Sequence, residues 1–175
     1  MRSLAFLIPG FILALSTLSA QAGALGPELR AYPAGLIPGL RGEISLGETD
    51  ILLLHAGYNA SDRHDWGEHA DESGGGGGLG LGWLHQLGST SGNWVLGARV
   101  DYWQLKIDWK DSGLSGRSDV DVLQPAAVGA YRWNSGRWRF ESSLSIGREI
   151  NLSTDGEDVG QGWILLAGLG ALFGI

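Results

Sequence analysis

Apolar side chains recur at every second position near the end of the chain, where Trp163, Leu165, Ala167, Leu169, Ala171, Phe173 and Ile175 alternate with residues that include three glycines. A period of two is that of a β-strand, whose successive side chains point to opposite faces. A closing strand with an apolar row and no capping charge is poorly suited to water. It suits the seam of a membrane barrel.

The same period sorts earlier segments into two rows. One row reads Leu40, Ile44, Leu46; Leu52, Leu54, Ala56, Tyr58; Trp94, Leu96, Ala98, Val100, Tyr102; and Trp138, Phe140, Leu144, Ile146. The other reads Arg41, Glu43, Ser45; His55, Gly57, Asn59; Gly97, Arg99, Asp101, Trp103; and Arg139, Glu141, Ser143, Ser145. Turn signals separate strands near 38–47, 50–59, 77–87, 93–107, 119–133, 137–149 and 161–175. Short gaps (47–50, 88–93, 134–136) alternate with long ones (59–77, 108–119, 150–160), the rhythm of an outer-membrane barrel with extracellular loops on one side. Bacterial barrels have even strand numbers. A short first strand is therefore expected around Glu28 to Tyr32, with the Pro33 to Pro38 segment as its connection. The fold class is all-β: an eight-stranded antiparallel transmembrane up-and-down β-barrel.

Alternation alone does not say which row faces out, because a soluble barrel turns its apolar row inward. The aromatics decide it. Trp83, Trp94, Trp133 and Trp138 flank the short turns, while Tyr58 and Trp163 flank the long loops. Two such belts are expected where amphipathic rings meet lipid headgroups.

Composition fits. Thirty glycines, eight tryptophans and only two lysines, Lys106 and Lys110, would make an odd water-facing surface. Arg2, the apolar run Leu4 to Leu18, and Ala20 and Ala22 have the layout of a secretory signal peptide, so residues 1–22 are expected to be removed and 23–175 to form the barrel domain. The chain contains no cysteine, which excludes disulfides and a lipoprotein anchor. A formal charge of −7 argues against a nucleic-acid partner.

The segments YPAGLIPGLRGEISL (32–46), GYNASDRHDWGEHADESGGGGG (57–78), VLQP (122–125) and NLSTDGEDVGQG (151–162) resemble uncharacterised members of the small eight-stranded outer-membrane β-barrel proteins of Gram-negative bacteria. That broad group includes the OmpA-type and OmpX-type barrels. The resemblance implies fold and location and supplies no activity. Such barrels usually end in Phe, which the barrel-assembly machinery is thought to read; Ile175 stands here, with Phe173 two positions earlier.

Two constellations carry candidate chemistry. Arg41, Glu43, His55, Arg99, Asp101, Arg139 and Glu141 fall on the polar row and are expected to pair inside the lumen, since buried charge is tolerated when paired. A proton relay or ion path is the functional alternative. The loop holding Asp62, His64, Asp65, Glu68, His69, Asp71 and Glu72, with Asp108, Asp111, Asp155, Glu157 and Asp158 facing it, offers ligands for a divalent cation. No recognised metal spacing is present, and a solvated acidic loop is the plainer reading. An enzyme acting on lipid A or another envelope lipid would need a base (His55 or His64), an orienting acid (Asp65 or Glu68) and a nucleophile (Ser61 or Ser73) at the outer rim. The run Gly74 to Gly78 lacks the G-K-[ST] of a phosphate loop and is expected to let the chain bend into the barrel. The expectation is a monomeric structural or surface-interaction protein, without a cofactor, amid outer-membrane lipid and lipopolysaccharide.

Overall fold

The computed structural model describes residues 23–64, 67–88 and 94–175. The expected signal segment lies outside the described residues. Eight strands follow in chain order: β1 (Gly23–Tyr32), β2 (Gly35–Ser45), β3 (Asp50–Asp62), β4 (Asp71–Leu87), β5 (Trp94–Asp111), β6 (Leu114–Ser135), β7 (Trp138–Asp155) and β8 (Gly162–Gly174). Each pairs antiparallel with its neighbour in sequence, and β8 returns to β1, closing the barrel. Closure pairs the backbone around the ring, as hydrocarbon demands.

Two boundaries differ from the sequence expectation. The first strand is ten residues long rather than a short piece at Glu28 to Tyr32, and its connection to β2 is Pro33–Ala34 alone rather than Pro33 to Pro38. Prolines suppressed the strand signal there. Pro27 and Pro38 nevertheless stand in the ladder, opposite Leu40 and Leu29.

The long loops are also mostly strand. Lys110 pairs with Ser115 and Asp111 with Leu114, so the expected 108–119 loop is a tight hairpin whose turn holds Gly113 at φ 93°. Strands β4 to β7 run 17, 18, 22 and 18 residues, against the ~9–11 that cross a bilayer. Their surplus stands as a wall on one side of the mouth.

Within β5 the two faces exchange character. Outward side chains are Trp94, Leu96, Ala98, Val100 and Tyr102, then Gln104, Lys106, Asp108 and Lys110; inward ones are Arg99 and Asp101, then Trp103, Leu105 and Ile107. Below Tyr102 the outside is greasy, and above it the outside is polar. The nine residues Trp94 to Tyr102, at ~3.3 Å each and a ~40° tilt, span roughly 23 Å, the height of a barrel's apolar band. The swap at Tyr102/Trp103 therefore marks where hydrocarbon gives way to water.

The apolar rows face outward as read: Leu40, Leu54, Leu96, Leu144, Ile146, Leu165 and Leu169 are exposed. At the short-turn end the rings touch in sequence, Trp94 to Tyr131 (5.2 Å), Tyr131 to Trp133 (6.4 Å), Trp133 to Phe140 (5.9 Å), Phe140 to Trp138 (6.3 Å) and Trp138 to Phe173 (5.3 Å). This is a continuous aromatic girdle over β5 to β8.

The glycine run serves packing instead of bending. Gly74, Gly76, Gly78, Gly80 and Gly82 lie within regular β4, and none has a positive φ. All fall on the row of the buried Glu72 and Leu84 and so face the lumen. A Cβ at Gly78 would run into the Trp103 ring, at Gly80 into the Asp101 carboxylate, and at Gly82 against Arg99. The bare stripe is the space that large β5 side chains occupy.

Leu144→Arg, at mid-height of the lipid-facing row, is expected to cost about 2–4 kcal/mol of folding stability, and Gln104→Arg on the wall about 0–1. Denaturant titration of the protein refolded in lipid bilayers measures both.

Candidate functional site

The sequence places charges on the inward row of several strands, and closure brings them together. Arg41 is 2% exposed and contacts three acids: Glu28 at 3.1 Å, Glu141 at 2.5 and 3.0 Å, and Glu43. Arg132 donates to Glu141 at 2.7 Å and to Glu43 at 2.6 Å, and Arg139 to Glu43 at 2.8 Å. One layer up, Arg99 reaches Glu28 at 3.2 Å and Asp101 at 2.9 Å, while Arg30 donates to Asp101 at 2.7 Å. His55 Nδ1 lies 2.9 Å from Glu28 Oε2. Its ring covers the bare faces of Gly39 and Gly57 and meets Trp103 edge-on at 6.0 Å.

All seven lumen candidates point inward, and they join one lattice. Arg139 differs from the rest: its side chain is 34% exposed at the short-turn rim rather than sealed. Sequence reading missed Glu28, Arg30 and Arg132, which complete the lattice. The signal was present for the first two, since extending period two upstream through Pro27 puts Glu28 and Arg30 on one face.

Above this lattice the lumen turns apolar, which corrects the expectation of a polar interior throughout. Tyr32, Ile37, Trp103, Leu105, Ile107, Val120, Val122, Val159, Ile164 and Leu166 form one buried cluster. A smaller one, Ile51, Leu53, Leu84 and Val128, sits toward the short turns. Inward apolar residues are needed where the wall stands in water, because there the barrel must be held by a hydrophobic core.

The mouth is organised by Glu72, which is 1% exposed. Its Oε1 accepts the Glu68 and His69 backbone N–H groups at 2.7 and 3.2 Å, and the Gly160 N–H reaches both carboxylate oxygens at 3.1 Å. Arg63 lies between Glu72 (3.4 Å) and Glu149 (3.0 Å) and donates to the Gly160 carbonyl. Glu72 is therefore an internal anchor for Arg63, Glu68, His69 and Gly160, with its oxygens occupied. His69 is likewise occupied: Nδ1 is 2.7 Å from Asp111 Oδ2, Nε2 is 2.9 Å from the Asp158 carbonyl, and the ring stacks on Trp109 at 4.5 Å.

Of the proposed ligands, His64 and Asp71 do converge, together with Asp62; one ligand atom from each lies within 4.8 Å of the others. His64 is 80% exposed. Glu68 contributes its backbone, and Glu157 and Asp158 contribute carbonyls, to Ser118 and His69 respectively. Asp155 ends β7 opposite Asp119. Asp65 lies outside the described residues. His55 is sealed in the lumen, away from the rim where an acyl-transfer base would work.

A closed ladder, a lipid-facing apolar belt and a charge-filled lumen define the small eight-stranded outer-membrane type of β-barrel. The N-terminal β-barrel domain of OprF from Pseudomonas aeruginosa aligns over 87% of this chain and 98% of that domain, with a TM-score of 0.52 and 15% identity. A major outer membrane protein from Thermus thermophilus aligns over 88% and 99%, with a TM-score of 0.55 and 14% identity. The likeness is one of fold. No protein-family model matches the chain, and no curated protein matches it.

Removing one acid from the lattice strands several arginines. Glu28→Ala is expected to cost about 3–5 kcal/mol, whereas Asp119→Ala, which breaks an exposed pair with Lys106, costs about 0–1; reversible unfolding in bilayers separates them.

His69 meets an acceptor at each ring nitrogen, so the doubly protonated ring fits the latch. The Asp111 contact raises its pKa above 6.5, burial opposes the rise, and the Asp158 carbonyl adds to it. The stabilisation is full below the unfolded value and is lost as pH rises through the raised folded value. Asp111 is lowered by the same contact, so its share fades only as pH falls through that lowered value. A spin label at Glu68→Cys is expected to be less mobile at about pH 5.5 than at about pH 8.5, and His69→Gln to abolish the difference.

Proposed function

We propose that this chain is a non-conducting, non-enzymatic barrel of the bacterial outer membrane, serving a structural or surface-interaction role with its wall and loops turned outward. In this reading residues 1–22 are a cleaved export signal, the barrel-assembly machinery inserts the chain, and it works as a monomer without a cofactor or nucleic acid. The observation that carries it is the lumen. Arg41, Glu28, Glu43 and Glu141 meet across it, and Trp103 and Ile37 pack above them with no measurable exposure. An eight-stranded barrel is narrow enough for side chains to fill. The polar outer face of the wall, with Lys106 to Asp119 at 2.9 Å and Arg117 to Asp108 at 2.7 Å, supports contact with water, lipopolysaccharide headgroups or a partner surface.

Planar-bilayer recording tests the plug: the purified barrel is expected to give no steady unitary current, and a regular open level at neutral pH would overturn the reading. Lipid A mass spectra from expressing and deleted strains are expected to coincide; a changed acyl pattern would favour the lipid-modifying alternative. That alternative has less geometric support, because no hydrogen bond joins His55 or His64 to Ser61 or Ser73 among the described residues.

One observation favours a second reading, divalent-cation binding at the mouth. Asp62, His64 and Asp71 present two carboxylates and an imidazole together, with Lys110 Nζ 3.9 Å from Asp71 as a competing cation. Zinc titration followed by tryptophan emission is expected to saturate in the parent chain and to lose that response in His64→Ala; a flat parent response would dismiss the site.

A further inference from the structure

The barrel wall is incomplete at one point of the outer rim. β8 pairs with β7 up to Gly162 opposite Glu149, but its ladder with β1 ends at Ala31 opposite Ala167. Above that pair the chain of β1 turns away through Pro33 and Ala34, and the first residues of β8 have no strand on the seam side. The result is a notch of about 280 Å³, lined by Tyr32, Arg63, Glu149, Gln161, Trp163 and Leu165. It opens between lumen and exterior. Arg63 and Glu149 are inward and buried, while Trp163 is 78% exposed on the outer face.

The next outward residue of β8 after Leu165 is Ala167, which begins a second hollow of about 640 Å³ on the lipid-facing surface, running across β7 and β6 to Leu96, Trp94 and Tyr131 at the short-turn girdle. Its floor is made by small residues, Gly129, Ser142 and Ala167, and its walls include Leu29, Tyr131 and Leu144. Both volumes are of the order of ligand sites, where ~300–1,000 Å³ is usual. A polar notch whose lower edge meets an apolar groove descending across β8, β7, β6 and β5 matches an amphiphile.

The notch chemistry narrows the headgroup. Arg63 is already shared by two acids, Glu72 and Glu149, so the local charge is negative and a phosphate is disfavoured. Glu149 oxygens accept from Arg63 and Gln124 and retain lone pairs, and the Gln161 side-chain oxygen accepts from Asn151 N–H, leaving its amide nitrogen as a donor. The free edge of β8 adds backbone groups that hydrocarbon cannot satisfy. Such a mixture of donors and acceptors is met by hydroxyl and amide groups on a sugar.

We propose that the notch and groove together retain one acylated sugar lipid of the outer leaflet, its hydroxyl and amide groups at Glu149 and Gln161 and one acyl chain over Gly129, Ser142 and Ala167. The inference rests on the reading above that the chain sits in the outer membrane with this rim outermost. Gly129→Leu fills the groove from its floor; a Cβ there meets only Leu96, at 3.4 Å, so the barrel accommodates it.

The test uses the full chain extracted from native outer membranes, exchanged into neutral detergent and analysed by mass spectrometry for bound lipid, with heat-modifiable electrophoretic mobility as the readout of the folded barrel. The parent protein is expected to keep a stoichiometric acylated amino-sugar lipid. Gly129→Leu and Gln161→Ala are each expected to lower retention on the order of tenfold, equal to ~1.4 kcal/mol, with mobility unchanged. Equal retention in parent and Gly129→Leu overturns the inference, as does a glycerophospholipid held in place of the sugar lipid. A parent protein without a heat shift overturns the barrel reading itself, a result distinct from either.

Discussion

Backbone pairing in hydrocarbon governs this molecule. An amide without a partner in the bilayer costs several kcal/mol, so the sheet has to close, and with eight strands it closes on a narrow interior. The lumen lattice, the outward apolar rows and the bare face of β4 follow from that closure. The places where pairing is thinnest sit at the seam. Pro27 offers no N–H there, and the β1–β8 ladder stops at Ala31.

Inside, two solutions to filling a narrow cylinder are stacked. Where the wall faces lipid, four acids and five arginines interlock, with Glu28 meeting Arg30, Arg41, Arg99 and His55. Where the wall faces water, Trp103, Leu105, Ile107, Val120 and Val122 form a hydrophobic core. Along β5 the order follows the solvent outside, while the small cluster of Ile51, Leu53, Leu84 and Val128 fills the short-turn end. Hydrocarbon outside leaves the polar row nowhere to go but inward, and water outside lets the ordinary arrangement return. Gly78 and Gly80 leave room for Trp103 and Asp101 at the join between the two regimes.

The mouth commits its buried polar groups in the same way. Glu72 and Arg63 tie Glu68 and His69 to Gly160 in the 156–161 connection, and His69 ties both to β5. What remains for an external partner is the outer face of the wall, the exposed group of Asp62, His64 and Asp71, and the notch beside Trp163. A scaffold held this firmly, with these groups left at its rim, accords with the proposed surface-interaction role.

Alternation by itself determined the fold class, the outward rows and the inward position of Arg41, Glu43, His55, Arg99, Asp101 and Glu141, because the strand period is local and hydrocarbon permits one sense of it. It also located the aromatic belt, through tryptophans beside turn residues. It did not find the full length of β1, since prolines weaken a strand signal even where, like Pro27 and Pro38, they stand in the ladder. It mistook wall for loop, because polar outward residues such as Lys106, Asp108 and Asp119 read as loop composition when water, not lipid, lies outside. Which acid meets which arginine, why Glu72 and His69 are occupied, and where the wall is notched were decided by closure alone. Those contacts join residues distant in sequence, such as Arg41 and Glu141 or Arg63 and Glu149, and only the curvature of the ring sets their distance.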